Sequence, residues 1–184
     1  MSVPEPGEAR GLSRKAIVAL GANLGEPRRT FETALALLAE EAGPILARSR
    51  WITTPALVHP DDPVREHPPY LNGVVILATE LPAEALLAVL HGIERAMGRD
   101  RNHELLPWQP RVLDLDLVAL GSEVRAPPAR PVLPHPRMHE RDFVLGPLCE
   151  LWPDWRHPIL GRSAAELLAA LEAARAGDQV RPTG

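Results

Sequence analysis

The sequence predicts an α/β (α+β) domain built on a four-stranded, mostly antiparallel sheet. Two observations carry that prediction. Short apolar runs alternate with segments of helical period in the order strand, helix, strand, strand, helix, strand. The chain of 184 residues, 45% hydrophobic and 24% charged, suits a single core and excludes a disordered polymer.

Taken in order, residues 1–13 are rich in Pro, Gly and Glu and read as a flexible tail. "AIVAL" (16–20) is a short buried strand stopped by Gly21, and "GANLG" (21–25) is a turn. Phe31, Ala34, Leu35 and Leu38 then fall at helical spacing, with Gly43 as the stop. "ILARSRWITT" (45–54) is the second strand. Residues 55–69 hold five prolines and three acidic residues, a long exposed loop of the kind that is uncommon unless functional. "YLNGVVILAT" (70–79) is the third strand, and residues 82–98 form a helix with Pro82 in its first turn and Gly98 at its end. A second irregular loop, "RDRNHELLPWQP" (99–110), leads into the fourth strand, "RVLDLDLVAL" (111–120). A proline-punctuated stretch follows, with one short helix expected near Met138–Phe143. Residues 163–176 form an amphipathic helix, capped by Ser163 with Glu166 three residues on. Residues 177–184 are a polar tail, so one domain spans 14–176.

This order is the ferredoxin-like βαββαβ core, with an added C-terminal helix and long loops as candidate active-site loops. Two helices cover one face of such a sheet. Because "AIVAL" and "GVVILAT" are apolar on both faces, the second face must be covered elsewhere along the chain.

Composition narrows the function classes. Net charge is −4 and the pI about 6.0, which argues against a nucleic-acid partner held by bulk positive charge. The single cysteine, Cys149, excludes an intrachain disulfide and a multi-cysteine zinc site. The N-terminus has no apolar signal region and no apolar run reaches membrane-spanning length, so the expected location is cytoplasmic, without a membrane partner. Lys15 is the only lysine among 20 basic residues. An arginine in this chain is therefore informative through its position alone.

The chemistry concentrates in "LDLD". Asp114 and Asp116 lie two apart on a strand, so both carboxylates point to one face, roughly 6.5–7 Å apart along it. Leu113, Leu115 and Leu117 point the other way, toward the helices. One reading is a hydrated polar face. The other is a pair of hard oxygen ligands suited to Mg²⁺, which keeps several waters and takes its remaining ligands from substrate phosphates. Arg99, Arg101, Arg111, Arg130 and Arg141 fall before and after this strand, as a nucleoside triphosphate site would require. No Walker-type loop is present. His135 and His139 stand four apart, but without a third ligand. His135, between Pro134 and Pro136, suits a hydrogen bond to a phosphate or base better than a zinc pair.

The segments "GANLG", "TPAL" with "YLNGVV", "IERAMGR", "WQPRVLDLDL" and "LPHPRMHERDFVLGPL" occur in the order found in 6-hydroxymethyl-7,8-dihydropterin pyrophosphokinases of folate synthesis. The chain resembles that family from about residue 16 to 160. The resemblance implies transfer of pyrophosphate from ATP to the pterin hydroxymethyl oxygen, with release of AMP. It implies two Mg²⁺ ions on Asp114 and Asp116, with Arg101 and Arg111 joining that pair as catalytic residues. The implied pterin site is Thr54, Pro55, Leu57, Tyr70, Asn72, Trp108 and Phe143. On the ATP side stand Glu94, Arg99, Arg111, Arg130, Val132, His135 and Arg141. The only tyrosine and one of two phenylalanines fall at the places where a flat heterocycle wants aromatic faces. A monomer acting on ATP and hydroxymethyl-dihydropterin is expected. The sequence departs from the family pattern at Pro107, where arginine often precedes the tryptophan, at Pro136, often tyrosine, and at Ala22, often serine. Two other readings stay open from the residues alone. One is a Mg²⁺-dependent phosphohydrolase or nucleotidyltransferase on the same two aspartates. The other is a non-enzymatic ferredoxin-like module, such as an RNA reader.

Overall fold

The structure is a computed structural model that describes residues 13–100 and 109–179. Strand β1 (Arg14–Ala22) leads to helix α1 (Pro27–Glu41), then to β2 (Ile45–Arg48), β3 (Ile52–Thr54) and β4 (Tyr70–Thr79). Helix α2 (Ala83–Ala96), β5 (Asp114–Leu120), a 3₁₀ turn (Met138–Glu140), α3 (Asp142–Leu151) and α4 (Ala164–Gln179) complete the chain. The sheet runs β2-β4-β1-β5, with β3 also on β4, and every pair is antiparallel. That is the ferredoxin-like order expected from sequence, with five strands in place of four.

The extra strand comes from a break in the run 45–54. Arg48 pairs with Val75 and Ile52 with Asn72, so one side holds an extra residue. Ser49 stabilises the bulge by bonding Val74 twice, its N–H to the Val74 carbonyl (3.0 Å) and its Oγ accepting the Val74 N–H (3.0 Å). The bulge turns Trp51 over Gly73, where a Cβ would come within 2.2 Å of the ring. Phe31 of α1 meets the same ring edge-on at 4.9 Å.

Both faces of the sheet are buried, as the two-sided apolar strands require. One layer packs Val18, Leu20, Val75, Leu77, Leu115 and Leu117 against α1 and α2. The other packs Ile17, Ala19, Val74 and Val118 against Val144, Leu145 and Leu148 of α3 and Leu167 of α4. In place of one short helix near Met138–Phe143, the chain forms the 3₁₀ turn and then α3, which runs on through Gly146 and Pro147. Burial of Val144, Leu145 and Leu148 on one stripe outweighs the lost Pro147 donor. The capping box at α4 forms as expected. Glu166 N–H donates to Ser163 Oγ (3.1 Å) and Ser163 N–H to Glu166 Oε2 (2.6 Å). The helix continues to Gln179, into the segment expected to be tail. Strand β1 likewise runs through Gly21 and Ala22, so only part of "GANLG" is turn.

Candidate active site

At one end of the sheet, where β1 ends and β4 and β5 begin, the strands carry polar side chains on the face of the second helical layer. Gly21 of β1 pairs with Asn72 on one side and Asp114 on the other. Ala19 pairs with Asp116. Directly paired residues share a face, so Asn72, Asp114 and Asp116 look out from the same surface. Gly21 is the floor between them. A Cβ there would sit 3.3 Å from Asn72 Oδ1, 3.9 Å from Asp114 Cβ and 3.9 Å from Tyr70 Cδ1. Three residues that the sequence separates thus converge on one side-chain-free position.

The carboxylates are held by guanidinium groups. Arg99 Nη1 donates to Asp114 Oδ1, and Arg111 Nη1 donates to Asp114 Oδ2 at 3.1 Å. Arg141 Nη1 donates to Asp116 Oδ2 at 3.1 Å. Asp116 Oδ1 has no protein hydrogen-bond partner among the described residues. Beneath the cluster lies Glu94, 1% exposed, whose Oε1 accepts from Arg99 Nη1 (2.9 Å) and from the Leu115 N–H (2.8 Å). The end of α2 explains how Arg99 reaches this place. Gly98, at φ 94°, reverses the chain, with Gly98 N–H bonded to the Arg95 carbonyl and Arg99 N–H to the Glu94 carbonyl. This Schellman turn aims Arg99 back at the strand. A buried Glu–Arg pair is costly to break from one side, about 3–5 kcal/mol when a partner is removed. Glu94 thereby fixes Arg99 and, through Arg99, Asp114.

His135 lies within the field of both aspartates. Burial pushes its imidazole below the usual value, opposed by Asp116 and reinforced by Arg141. The His135 backbone N–H donates to the Val118 carbonyl (2.8 Å), which ties the proline-rich segment to β5. His139 turns away from His135 and toward His157, ring centroids 6.1 Å apart. The start of α3 delivers Arg141 and, beside it, Phe143, whose ring lies 5.8 Å from the Arg141 guanidinium carbon.

Across Gly21, Asn72 Nδ2 donates to Thr54 Oγ1 (2.7 Å) and the Tyr70 hydroxyl donates to the Gln109 carbonyl (3.0 Å). Thr54, Tyr70 and Asn72 therefore form one wall beside Asp114. Pro55 and Leu57 continue the chain from that wall and are exposed, Leu57 by 63%. Arg130 is exposed, with no hydrogen bond among the described residues. Val132 lines a cleft of about 250 Å³ together with Pro134, Pro136, His139 and His157. The carboxylate pair is not part of that cleft, nor of a second one, about 500 Å³, lined by Arg28, Arg29, Thr53 and Leu71. Arg101, Pro107 and Trp108 fall outside the described residues.

Sequence reasoning missed Asn23. This residue is 4% exposed and has both ends of its amide engaged. Its Oδ1 accepts the Arg111 N–H (2.8 Å), its Nδ2 donates to the Pro68 carbonyl (2.9 Å), and its own N–H donates to the Arg111 carbonyl (3.0 Å). It joins the β1 turn to the approach of β5 and to the end of the 55–69 loop. The asparagine inside "GANLG" was its only sequence signal, and an asparagine in a turn ordinarily bonds its own backbone.

The donor set fits a divalent cation of the Mg²⁺ type. Two carboxylates on one face supply hard oxygens, and one oxygen of Asp116 accepts no hydrogen bond from the described residues. Among the described residues no group of three or more His, Cys, Asp or Glu gathers to hold a metal unaided. Such a pair suits an ion that shares its coordination with phosphate oxygens and water. No helix among the described residues is long and apolar enough to cross a membrane.

The family model for 7,8-dihydro-6-hydroxymethylpterin-pyrophosphokinase (HPPK) matches residues 17–153. A 2-amino-4-hydroxy-6-hydroxymethyldihydropteridine pyrophosphokinase of Synechocystis is 39% identical over 158 residues, covering 85% of this chain and 76% of the relative. The enzyme of the same name from Pseudomonas aeruginosa is 40% identical over 159 residues, covering 85% of this chain and 91% of the relative. Among solved structures, wild-type HPPK-DHPS of Plasmodium falciparum superposes with a TM-score of 0.70 at 13% identity. The match covers 94% of this chain and 47% of that one, so the chain spans just under half the length of that solved protein. At that identity the likeness is one of fold.

Proposed function

The chain belongs to the 7,8-dihydro-6-hydroxymethylpterin-pyrophosphokinase family, and from that premise we propose that the end of the sheet around Gly21 is its active site. The activity is transfer of pyrophosphate from ATP to 6-hydroxymethyl-7,8-dihydropterin in folate biosynthesis. The pterin hydroxymethyl oxygen attacks the β-phosphorus, the bond from that phosphorus to the bridging α–β oxygen breaks, and AMP leaves with that oxygen. The observation that carries the site assignment is the convergence of Asp114, Asn72 and Tyr70 on Gly21, with three guanidinium groups on the carboxylate side.

Asp114 and Asp116 are the residues that would hold Mg²⁺, two ions in our reading. That metal's chemistry here is to neutralise phosphate charge and favour ionisation of the attacking hydroxyl. Before substrates arrive, Glu94, Asp114 and Asp116 are matched by Arg99, Arg111 and Arg141. With Asp114 and Asp116 engaged in holding a cation, Arg111 and Arg141 would be free to bind phosphate oxygens in bidentate form. We assign to Asp116, by its position in the family motif, a part in deprotonating the hydroxymethyl group alongside its part in holding the metal. His135, whose imidazole burial holds below its usual value, is assigned a hydrogen bond to a phosphate or base. We assign Thr54, Tyr70 and Asn72 to the pterin wall, and Pro55, Leu57, Phe143 and Trp108 to pterin contacts by their positions in the family motif, Trp108 lying outside the described residues. The Asn72 amide can give and take hydrogen bonds at the ring edge. Arg101, Arg130 and Val132 belong to the ATP side. Glu94 acts there through Arg99, since its carboxylate is buried and engaged. We read the protein as a single domain over 14–176, a cytoplasmic monomer without a nucleic-acid partner.

The test supplies ATP, Mg²⁺ and hydroxymethyl-dihydropterin and follows products. AMP and the pterin diphosphate should appear in equal amounts. ADP or free phosphate would instead favour a phosphohydrolase or another transferase on the same aspartates. Asp116→Ala should lower kcat by about 10²–10³-fold, the scale of several kcal/mol of lost charge stabilisation. Near-normal turnover of a folded Asp116→Ala protein would remove the metal assignment.

A further inference from the structure

Thr54 and Tyr70 are paired across the β3–β4 ladder, yet residues 55–69 intervene between them. A loop of that length is ordinarily loose, because ordering each residue costs conformational entropy. This one has an internal fastening. Asp62 is 5% exposed and its carboxylate is fully engaged, Oδ1 accepting the Val64 N–H (2.9 Å) and Oδ2 facing His67 Nε2 (3.0 Å). The His67 side chain is itself only 5% exposed. Asp62 N–H donates to the His59 carbonyl (2.9 Å), which closes a turn ahead of the pair. A carboxylate and an imidazole buried in a surface loop would each cost free energy if unpartnered, and here each partners the other. Neither has a part in the core layers.

The fastening connects to the site. His67 is followed by Pro68, whose carbonyl accepts from Asn23 Nδ2 (2.9 Å). Asn23 Oδ1 in turn accepts the Arg111 N–H, and Arg111 donates to Asp114. Two residues beyond Pro68 the chain enters β4 at Tyr70. The direct route from the pair of Asp62 and His67 runs through Pro68 to Tyr70, whereas Arg111 is held to the β1 turn independently, its carbonyl accepting the Asn23 backbone N–H (3.0 Å).

We propose that Asp62 and His67 are positioning residues for the pterin substrate. Their hydrogen-bonded pair holds the 55–69 loop so that Thr54 and Tyr70 stand preformed at their places in the wall. This inference rests on the reading of Thr54, Tyr70 and Asn72 as the pterin wall. The preformed wall saves ordering cost on pterin binding, so the effect belongs to pterin affinity and leaves ATP affinity and the chemical step alone.

The experiment compares the full-length protein with Asp62→Ala, His67→Ala, Asp62→Asn and Asn72→Ala. Loss of the pair should raise the pterin KM about tenfold in Asp62→Ala and His67→Ala, the effect of one lost buried hydrogen bond. Their kcat and ATP KM should stay within about twofold of the parent. Asp62→Asn keeps an acceptor for Val64 N–H and a partner for the imidazole, so its pterin KM should stay within about threefold. Trypsin cleavage at the exposed Arg65–Glu66 bond, read by mass, should be about tenfold faster in Asp62→Ala and near the parent rate in Asp62→Asn. This readout needs no catalytic activity. An unchanged pterin KM in Asp62→Ala, with Asn72→Ala impaired, would overturn the positioning role and leave the wall intact. An unchanged pterin KM in Asn72→Ala would overturn the wall itself. Equal losses for ATP and pterin in Asp62→Ala, unchanged cleavage at Arg65, or an Asp62→Asn protein as impaired as Asp62→Ala would each overturn the proposal.

Discussion

Glu94, expected on the ATP side, is buried and joins an arginine to the strand of the two aspartates. Its Oε1 accepts from Arg99 and from the backbone of Leu115, the residue between the two aspartates. A single buried oxygen therefore sets both the guanidinium and the strand on which the carboxylates ride. Elsewhere, His157 illustrates a titration written into the scaffold. It is 5% exposed, and its Nδ1 accepts the N–H groups of Ile159 (3.3 Å) and Leu160 (3.2 Å). Burial, and then the neighbouring His139, push its imidazole below the usual value. The unfolded chain thus binds a proton at a pH where the folded protein resists it. The contribution is complete above about pH 6.5, the ordinary imidazole value, and is lost as pH falls through the lower folded value. Denaturant midpoints should therefore drop between pH 7.5 and 5, and His157→Gln should drop less over the same interval. Equal slopes for the two proteins would place the pH sensitivity in another group.

At the scale of elements, the broken strand matters most. An uninterrupted strand over 45–54 would carry Trp51 in simple alternation. The bulge at Ser49 re-aims it across Gly73, between Phe31 and the Arg48 guanidinium, whose carbon lies 5.4 Å from the ring. It also resets the register so that Thr54 pairs with Tyr70 and Ile52 with Asn72. The meeting of Thr54, Tyr70 and Asn72, which we propose as the pterin wall, is therefore a consequence of the bulge. Gly73→Ala would place a methyl 2.2 Å from a ring that is wedged on its other sides. The expected loss is about 2 kcal/mol, typical of overpacking, seen as a lower urea midpoint. Pterin affinity should weaken with it, because Asn72 is the adjoining residue. A fully stable Gly73→Ala protein would mean that Trp51 has room to move.

For the molecule as a whole, two apolar layers lock the sheet while one end stays polar. Among the described residues, Arg99, Arg111 and Arg141 pair with the carboxylates there. Ligand binding to the folded state alone raises its stability by mass action, about 2.7 kcal/mol at a hundred times Kd. ATP with Mg²⁺ should accordingly raise the melting temperature by several degrees, and ATP with excess EDTA by far less. An equal rise in both conditions would separate nucleotide binding from the aspartate pair.

Much of this was legible in the chain itself. Element order follows from periods of 2 and 3.6 in apolar residues, which are local properties. The common face of Asp114 and Asp116 is also local, since side chains two apart on a strand must agree. The apolar character of both faces of β1 and β4 announced a second covering layer. Helix α3 was obscured because Gly146 and Pro147 oppose a helix locally, and only packing of Val144, Leu145 and Leu148 decides for it. Tertiary structure alone determined the rest. Gly21 lies between Asn72 and Asp114 because antiparallel register joins strands far apart in sequence. Glu94 reaches Arg99 through a helix end, and Asp62 meets His67 inside a loop. Such meetings are set by which register buries the most apolar surface while leaving no polar group unpaired, a condition on the folded chain as a whole that no short stretch of sequence contains.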